Sequence, residues 1–185
     1  MSRHAAFLRA INVGGRSRIK MDELRETFAA AGADNVSTFL QSGNVLFDSP
    51  ARDVPKIVRQ AQAVLQEVLD HTPEILPRTV RHLERLVKGP PFTRRQMQSS
   101  VKLYVVFLAR KPRRPPDLPL VDRKEALETI AIAGREVFIL SRPKQNGFYG
   151  FPNAFVEEDL GVPATSRNWS TLTKLVARAQ RDFGL

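Results

Sequence analysis

Apolar positions in this chain follow the two periods that mark helices and strands, and their order is the first clue to the fold. Ala5–Val13 (AAFLRAINV) predicts a strand, followed by a loop with Gly14 and Gly15. Met21, Leu24, Phe28 and Ala31 then recur at spacings of three and four, which predicts an amphipathic helix stopped near Gly32. Asp22 and Glu23 fall in its first turn, where the helix dipole favours anions. Val36, Thr38 and Leu40 alternate with Ser37, Phe39 and Gln41, and the QSGN segment (Gln41 to Asn44) leads into Val45, Leu46 and Phe47. That pattern predicts a hairpin with a two-residue turn at Gly43 and Asn44. Asp53 and Pro55 open a helix whose apolar face runs from Ile57 to Leu69, Glu74 to Leu76 gives a short strand, and Thr79 begins another helix. Strand, helix, strand, strand, helix, strand is the split βαβ, or ferredoxin-like, pattern.

The second half repeats parts of this order. Lys102 to Ala109 is its strongest strand, Lys111 to Pro119 (KPRRPPDLP) reads as a stiff basic connection, and Leu127–Ile132 with Val137–Leu140 predicts a second hairpin. A short helix over Ala154 to Leu160 lies between Asn153 and Gly161, and Trp169, Leu172, Val176, Ala179 and Phe183 mark a final helix. The expected fold class is α+β: two ferredoxin-like units, the second less regular, with a C-terminal helix. The boundary falls between Arg78 and Phe92, giving units over 1–80 and 81–185.

Composition narrows the chemistry. The chain of 185 residues has no cysteine, which excludes disulfides, thiolate metal sites, iron–sulfur clusters and a cysteine nucleophile. Its longest apolar run, Leu103 to Ala109, is far short of a membrane span, and Arg9 interrupts the opening apolar stretch where a leader peptide would need continuity. A cytoplasmic protein with no membrane partner is expected. The net charge of +10 is concentrated: between Arg78 and Arg114 lie eleven cations against the single acid Glu84, leaving 18 cations and 18 anions elsewhere. Such a segment presents a positive field to a polyanion, or is simply a solvated basic surface.

Three segments offer candidate binding groups. In FLRAINVGGRSRIKMDEL (Phe7 to Leu24), two glycines and the cations Arg16, Arg18 and Lys20 precede a helix N-terminus, a place that can hold an anion, although neither GxGxxG nor GxxxxGK[ST] occurs. Arg9 sits inside the predicted strand on the side of Phe7 and Ile11, so it either crosses an open sheet face or is buried against a carboxylate. QSGN supplies short polar side chains that also make good turns. In PATSRNWSTLTKL (Pro163 to Leu175), Thr165 or Ser166 can cap the last helix, with Arg167 and Asn168 left over as anion ligands. Phe39 is a core residue or a base-stacking one. His4, His71 and His82 are far apart, no HExxH or GxSxG occurs, and no metal site or acid–base pair can be nominated. Glu157, Glu158 and Asp159 are consecutive and cannot converge from one helix face.

FLRAINVGG with RIKMDELR, TFLQSGNVLF, and GVPATSRNWSTLTKL, in that order, resemble the hallmark segments of the bacterial domain of unknown function family 1697. The resemblance implies two ferredoxin-like units and names no reaction, substrate or cofactor. By motif match it singles out Arg9, Asn12, Gly14, Gly15, Gln41, Ser42, Gly43, Asn44, Thr165, Arg167, Asn168 and Trp169. Where a Leu-Thr-Asn run is expected, this chain has Phe151, Pro152 and Asn153, which keeps Asn153 as a cap and removes the hydroxyl.

Two functions are therefore expected, with the cofactor and any enzymatic step open. The first is polyanion binding, above all nucleic acid, through the basic segment, with Arg94, Arg95, Arg110, Lys111, Arg113 and Arg114 as contacts. The second is an enzyme or sensor for a small anionic ligand, a nucleotide or sugar phosphate, held by Arg9, Asn12, Gly14, Gly15, Ser42, Asn44, Thr165, Arg167 and Asn168. A third possibility is a scaffold whose motifs serve only turns and caps.

Overall fold

The computed structural model describes residues 1–12, 18–69, 71–98, 100–114 and 116–182. Its elements run β1 (Ser2–Leu8), α1 (Met21–Ala30), β2 (Asp34–Thr38), β3 (Asn44–Ser49), α2 (Val54–Leu69), β4 (Ile75–Thr79), α3 (Val80–Lys88), α4 (Arg94–Gln98), β5 (Lys102–Leu108), β6 (Leu120–Asp122), β7 (Leu127–Ala133), β8 (Glu136–Ser141), α5 (Asn153–Leu160), β9 (Ala164–Asn168) and α6 (Trp169–Arg181). The chain divides into two units: Met1–Arg85 together with α6 from Leu175, and Leu86–Lys174.

In the first unit the strands form an antiparallel sheet in the order β2-β3-β1-β4, the ferredoxin-like arrangement. Helices α1 and α2 bury Leu24, Phe28, Ile57, Ala61 and Leu65 against Ala6, Leu8, Val45 and Phe47. The alternate strand residues Ala5, Phe7, Leu46 and Leu76 are buried too, so these strands carry apolar side chains on both faces. Pro77 lies on the edge strand β4, where a missing amide hydrogen breaks no inner ladder.

The second sheet has the order β6-β7-β8-β5-β9, and its last four strands repeat the first sheet, with β7, β8, β5 and β9 in the places of β2, β3, β1 and β4. Ala5 pairs with Leu46 and Arg78, and Val105 with Phe138 and Arg167. Beyond the ladders, Leu8 N donates to Gly43 O and Leu108 N to Arg135 O, both at 2.8 Å, while Arg9 N donates to Glu74 O and Ala109 N to Pro163 O, both at 2.9 Å. The second unit differs in its first crossover, where β6 replaces a helix. Two ferredoxin-like units in an α+β protein are what the pattern predicts.

Several local expectations change. The first strand ends at Leu8 rather than Val13, because Ala10 and Asn12 take positive φ angles of 59° and 56° that an extended strand cannot continue through. Arg9 is therefore a half-buried residue beyond the strand. The first hairpin is closed by the four residues Leu40–Gly43, with Leu40 at φ 58° and Asn44 already paired in β3. Residues 164–168 form β9 rather than a helix start, so Thr165 and Ser166 are strand residues and not caps. Asn153 is the first residue of α5, and Pro152 occupies the cap position. Gly161, in left-handed geometry at φ 61°, stops α5 as expected.

Candidate functional site

The first unit brings most of the amino-terminal motif residues together, chiefly as architecture. Asn12 clasps Ile19 in both directions, its Nδ2 donating to Ile19 O at 3.2 Å and its Oδ1 accepting from Ile19 N at 2.9 Å; the same Nδ2 donates to Gln41 O at 3.1 Å. Its amide thus ties the end of β1 to the entry of α1 and to the β2–β3 loop. Asn44, fully buried, donates from Nδ2 to Phe39 O at 2.8 Å and to Ser42 Oγ at 2.9 Å, closing that loop from within. Phe39 is a half-buried residue of the same closure, its amide donating to Asn44 O. Gly14 and Gly15 lie outside the described residues.

Beside this clasp opens a cleft of about 800 Å³ lined by Asn12, Arg18, Lys20, Asp22, Glu23 and Gln41 among others. Its lining holds two cations and two carboxylates, and Glu23 is drawn back to accept from Lys20 N at 3.3 Å. On charge alone this mouth has no preference for an anion.

Thr165, Arg167 and Asn168 belong to the second unit. Arg167 is 8% exposed; its guanidinium donates to Thr165 Oγ1 at 2.9 Å and Ser166 O at 2.8 Å. Desolvation pulls its pKa down to about 10, which still leaves it charged at neutral pH. Arg78, its counterpart in the first sheet, is also buried and donates to the carbonyl of the residue before it, Pro77 O, at 2.9 Å. A buried arginine turned back on its own strand is thus repeated in both sheets. Asn168 is exposed and borders a recess of about 370 Å³ with Lys102 and Trp169.

Of the eleven cations between Arg78 and Arg114, ten are exposed. They do not form one patch. Arg94 and Arg95 lie on α4 and Lys102 opens β5, whereas Arg110, Lys111, Arg113 and Arg114 follow its far end. Arg110 is fixed by donation to Gly161 O at 2.9 Å, the C-cap of α5. Among the described residues none of Arg94, Arg95, Arg110, Lys111, Arg113 and Arg114 pairs with a carboxylate, whereas Arg142 pairs with Glu128 at 2.7 Å and Lys144 with Glu125 at 3.1 Å.

His4 is buried, stacks on Phe47 and donates from Nε2 to Ser49 O at 3.2 Å. Burial holds its pKa below the ordinary histidine range, against the opposing pull of that carbonyl and of Asp48. Among the described residues no three His, Asp or Glu side chains gather as metal ligands.

Hydrophobic periodicity does not single out Arg142–Phe151 (RPKQNGFYGF). Its signal is compositional, three aromatics interleaved with two glycines in a polar turn, and the structure leaves Phe148 and Phe151 largely in water.

Two ferredoxin-like sheets, motif residues that clasp loops and an exposed basic segment define an α+β protein of two units. The chain belongs to the family of proteins of unknown function DUF1697, whose model matches residues 1–138. No curated protein matches it. Among solved structures it is similar to the conserved bacterial protein SP0830 from Streptococcus pneumoniae, at 18% identity and a TM-score of 0.60, covering 95% of this chain and 97% of that one. This likeness is one of fold. No described helix is long and apolar enough to cross a membrane.

Proposed function

We propose that this protein binds nucleic acid as a polyanion in the bacterial cytoplasm, through the exposed cations of its central segment. One observation carries the reading: six exposed Arg and Lys residues at 94, 95, 110, 111, 113 and 114 are left without carboxylate partners among the described residues, whereas Arg142 and Lys144 of the same unit are paired. Cations whose charge is not neutralised within the fold are the ones that displace counterions from phosphates, so binding falls steeply with salt. Fluorescence anisotropy of labelled RNA and DNA across a salt series tests this. Neutralising all six residues is expected to flatten the plot of log affinity against log salt by up to about 4 on single strands, at about 0.7 per phosphate contact. Unchanged binding at low salt would exclude the reading.

A second reading, a sensor or enzyme for a small anionic ligand, rests on the size and polar lining of the cleft of about 800 Å³ and not on its net charge: Asn12 and Gln41 would orient the ligand, and Arg18 and Lys20 would meet its anionic group. Calorimetric titration with inorganic phosphate and nucleotides is then expected to show heat that Arg18→Ala with Lys20→Ala abolishes. No heat with either probe would remove it.

A further inference from the structure

The segment Arg142–Phe151 is a turn built with unusual care for one that exposes two large aromatic rings. Lys144 N donates to Phe148 O and Gly147 N to Lys144 O, both at 2.8 Å, and Phe148 N donates to Asn146 Oδ1 at 3.1 Å. Pro143 and Tyr149 form a β-bridge across its base. Ser141 Oγ donates to Gly150 O at 3.1 Å, and a Cβ at Gly150 would run into the carbonyl oxygen of Glu125, so the turn lies flush on the strand connection beneath it. Gly147 takes a φ of 76°, which a side chain would resist. From this frame Phe148 is 72% and Phe151 60% exposed. The Phe151 ring is steadied edge-on by Tyr104, with centroids 6.1 Å apart and planes at 83°.

The same turn is tied to one of the two basic clusters. Tyr149 donates its hydroxyl to Ser100 O at 2.6 Å, in the connection between α4 and β5, and Lys102 Nζ lies 4.2 Å over the Tyr149 ring. Arg94 and Arg95 stand on α4 at the other end of that connection, exposed and without carboxylate partners among the described residues. Exposed aromatic rings on a turn that is bonded through Tyr149 to Ser100 and Lys102 supply, together with those unneutralised cations, the two components of a single-strand binding surface: cations follow the backbone, and rings stack on bases that a duplex keeps inside. A membrane-inserting loop would put its apolar residues at the tip, but the tip here is Gln145 and Asn146, with Phe148 and Phe151 on one arm.

We infer that Phe148 and Phe151 form a stacking platform for single-stranded nucleic acid, whose phosphates are led onto it by Arg94, Arg95 and Lys102. The inference rests on the polyanion reading and adds the strand class and the place of contact.

The test uses the full chain and labelled oligonucleotides of about 12 nucleotides, within the span of known single-strand sites, as single strands and as a duplex. Phe148→Ala with Phe151→Ala, both on exposed side chains, is expected to weaken single-strand binding about ten- to a hundredfold, leaving duplex binding and the salt slope unchanged. Phe148→Tyr with Phe151→Tyr is expected to retain it, and Phe151→Trp to be quenched when a single strand binds. Equal single-strand affinity for wild type and the alanine variant, with the steep salt dependence intact, would overturn the platform and leave the polyanion reading standing. Absence of binding by wild type at low salt would overturn both. Loss of binding to anionic phospholipid vesicles, or of self-association, in the alanine variant with oligonucleotide affinity unchanged would assign the rings to another occupant and overturn the platform.

Discussion

Gly43 shows how one position can be fixed twice. Its φ of 69° disfavours any side chain, and a Cβ there would lie 2.7 Å from Ile11 Cδ1 and 3.0 Å from Leu8 Cβ, atoms of the core beneath the loop. Gly43→Ala is expected to destabilise the protein by about 1–3 kcal/mol, from backbone strain plus overpacking, read as a lower denaturation midpoint in urea. His4 adds a dependence on pH. Because its folded pKa lies below the unfolded value, the unfolded chain takes up the proton first as pH falls; its contribution is complete above about pH 6.5 and declines below it. His4→Phe keeps a ring against Phe47 and cannot titrate. Stability curves between pH 5 and 7.5 are expected to lose part of their slope in that variant, and an unchanged slope would place the titration elsewhere.

At the scale of elements, the motif residues act where strands stop and loops close. Asn44 occupies a buried strand position yet sends its amide back across the loop, so Asn44→Ala removes both bonds and leaves Phe39 O without that donor. A loss of about 1–3 kcal/mol is expected, following the cost of an orphaned buried polar group. Asn44→Asp, which cannot donate, is expected to be at least as damaging; equal stability of all three proteins would show that the backbone bond from Phe39 N to Asn44 O suffices. Asn12 makes the equivalent closure between β1 and α1. Polar residues flanking glycines in QSGN and INVGG are legible as loop material, but which carbonyl each amide meets is decided by chain segments up to 29 residues away. Residues 164–168 misled for a related reason. Thr, Ser and Asn are cap-forming types, yet pairing with β5 extends the segment and buries Thr165, Ser166 and Arg167.

For the molecule as a whole, the eleven-to-one charge count is a fact of sequence, whereas its division is a fact of structure. The seven residues of β5, at about 3.3 Å each, put roughly 20 Å between the ends that carry the two basic clusters. A polyanion long enough to reach both should lose affinity when either Arg94 with Arg95, or Arg110 to Arg114, is neutralised. An oligonucleotide of about 4 residues should respond to only one of these changes, since a strand advances about 3.4 Å per phosphate. Anisotropy titrations over a series of lengths check this, and equal sensitivity of the shortest oligonucleotide to both changes would mean that the clusters act as one.

Sequence by itself determined what depends on neighbouring residues and periodicity: the helices at Met21, Val54 and Trp169, the strands at the head of each unit, the ferredoxin-like order, the concentration of charge and the lack of thiol chemistry. Apolar spacing reports which face must leave water, whatever covers it. Tertiary structure decided what depends on partners far along the chain. It ended the first strand at Leu8, made β9 from cap-forming residues and turned Arg78 and Arg167 back onto their own strands. It also divided one basic segment between two ends of a strand. Phe148 and Phe151 are the clearest case: phenylalanine is a residue type that cores favour, yet the structure leaves both largely in water on the turn Arg142–Phe151, because burial belongs to the packed fold and not to the residue type.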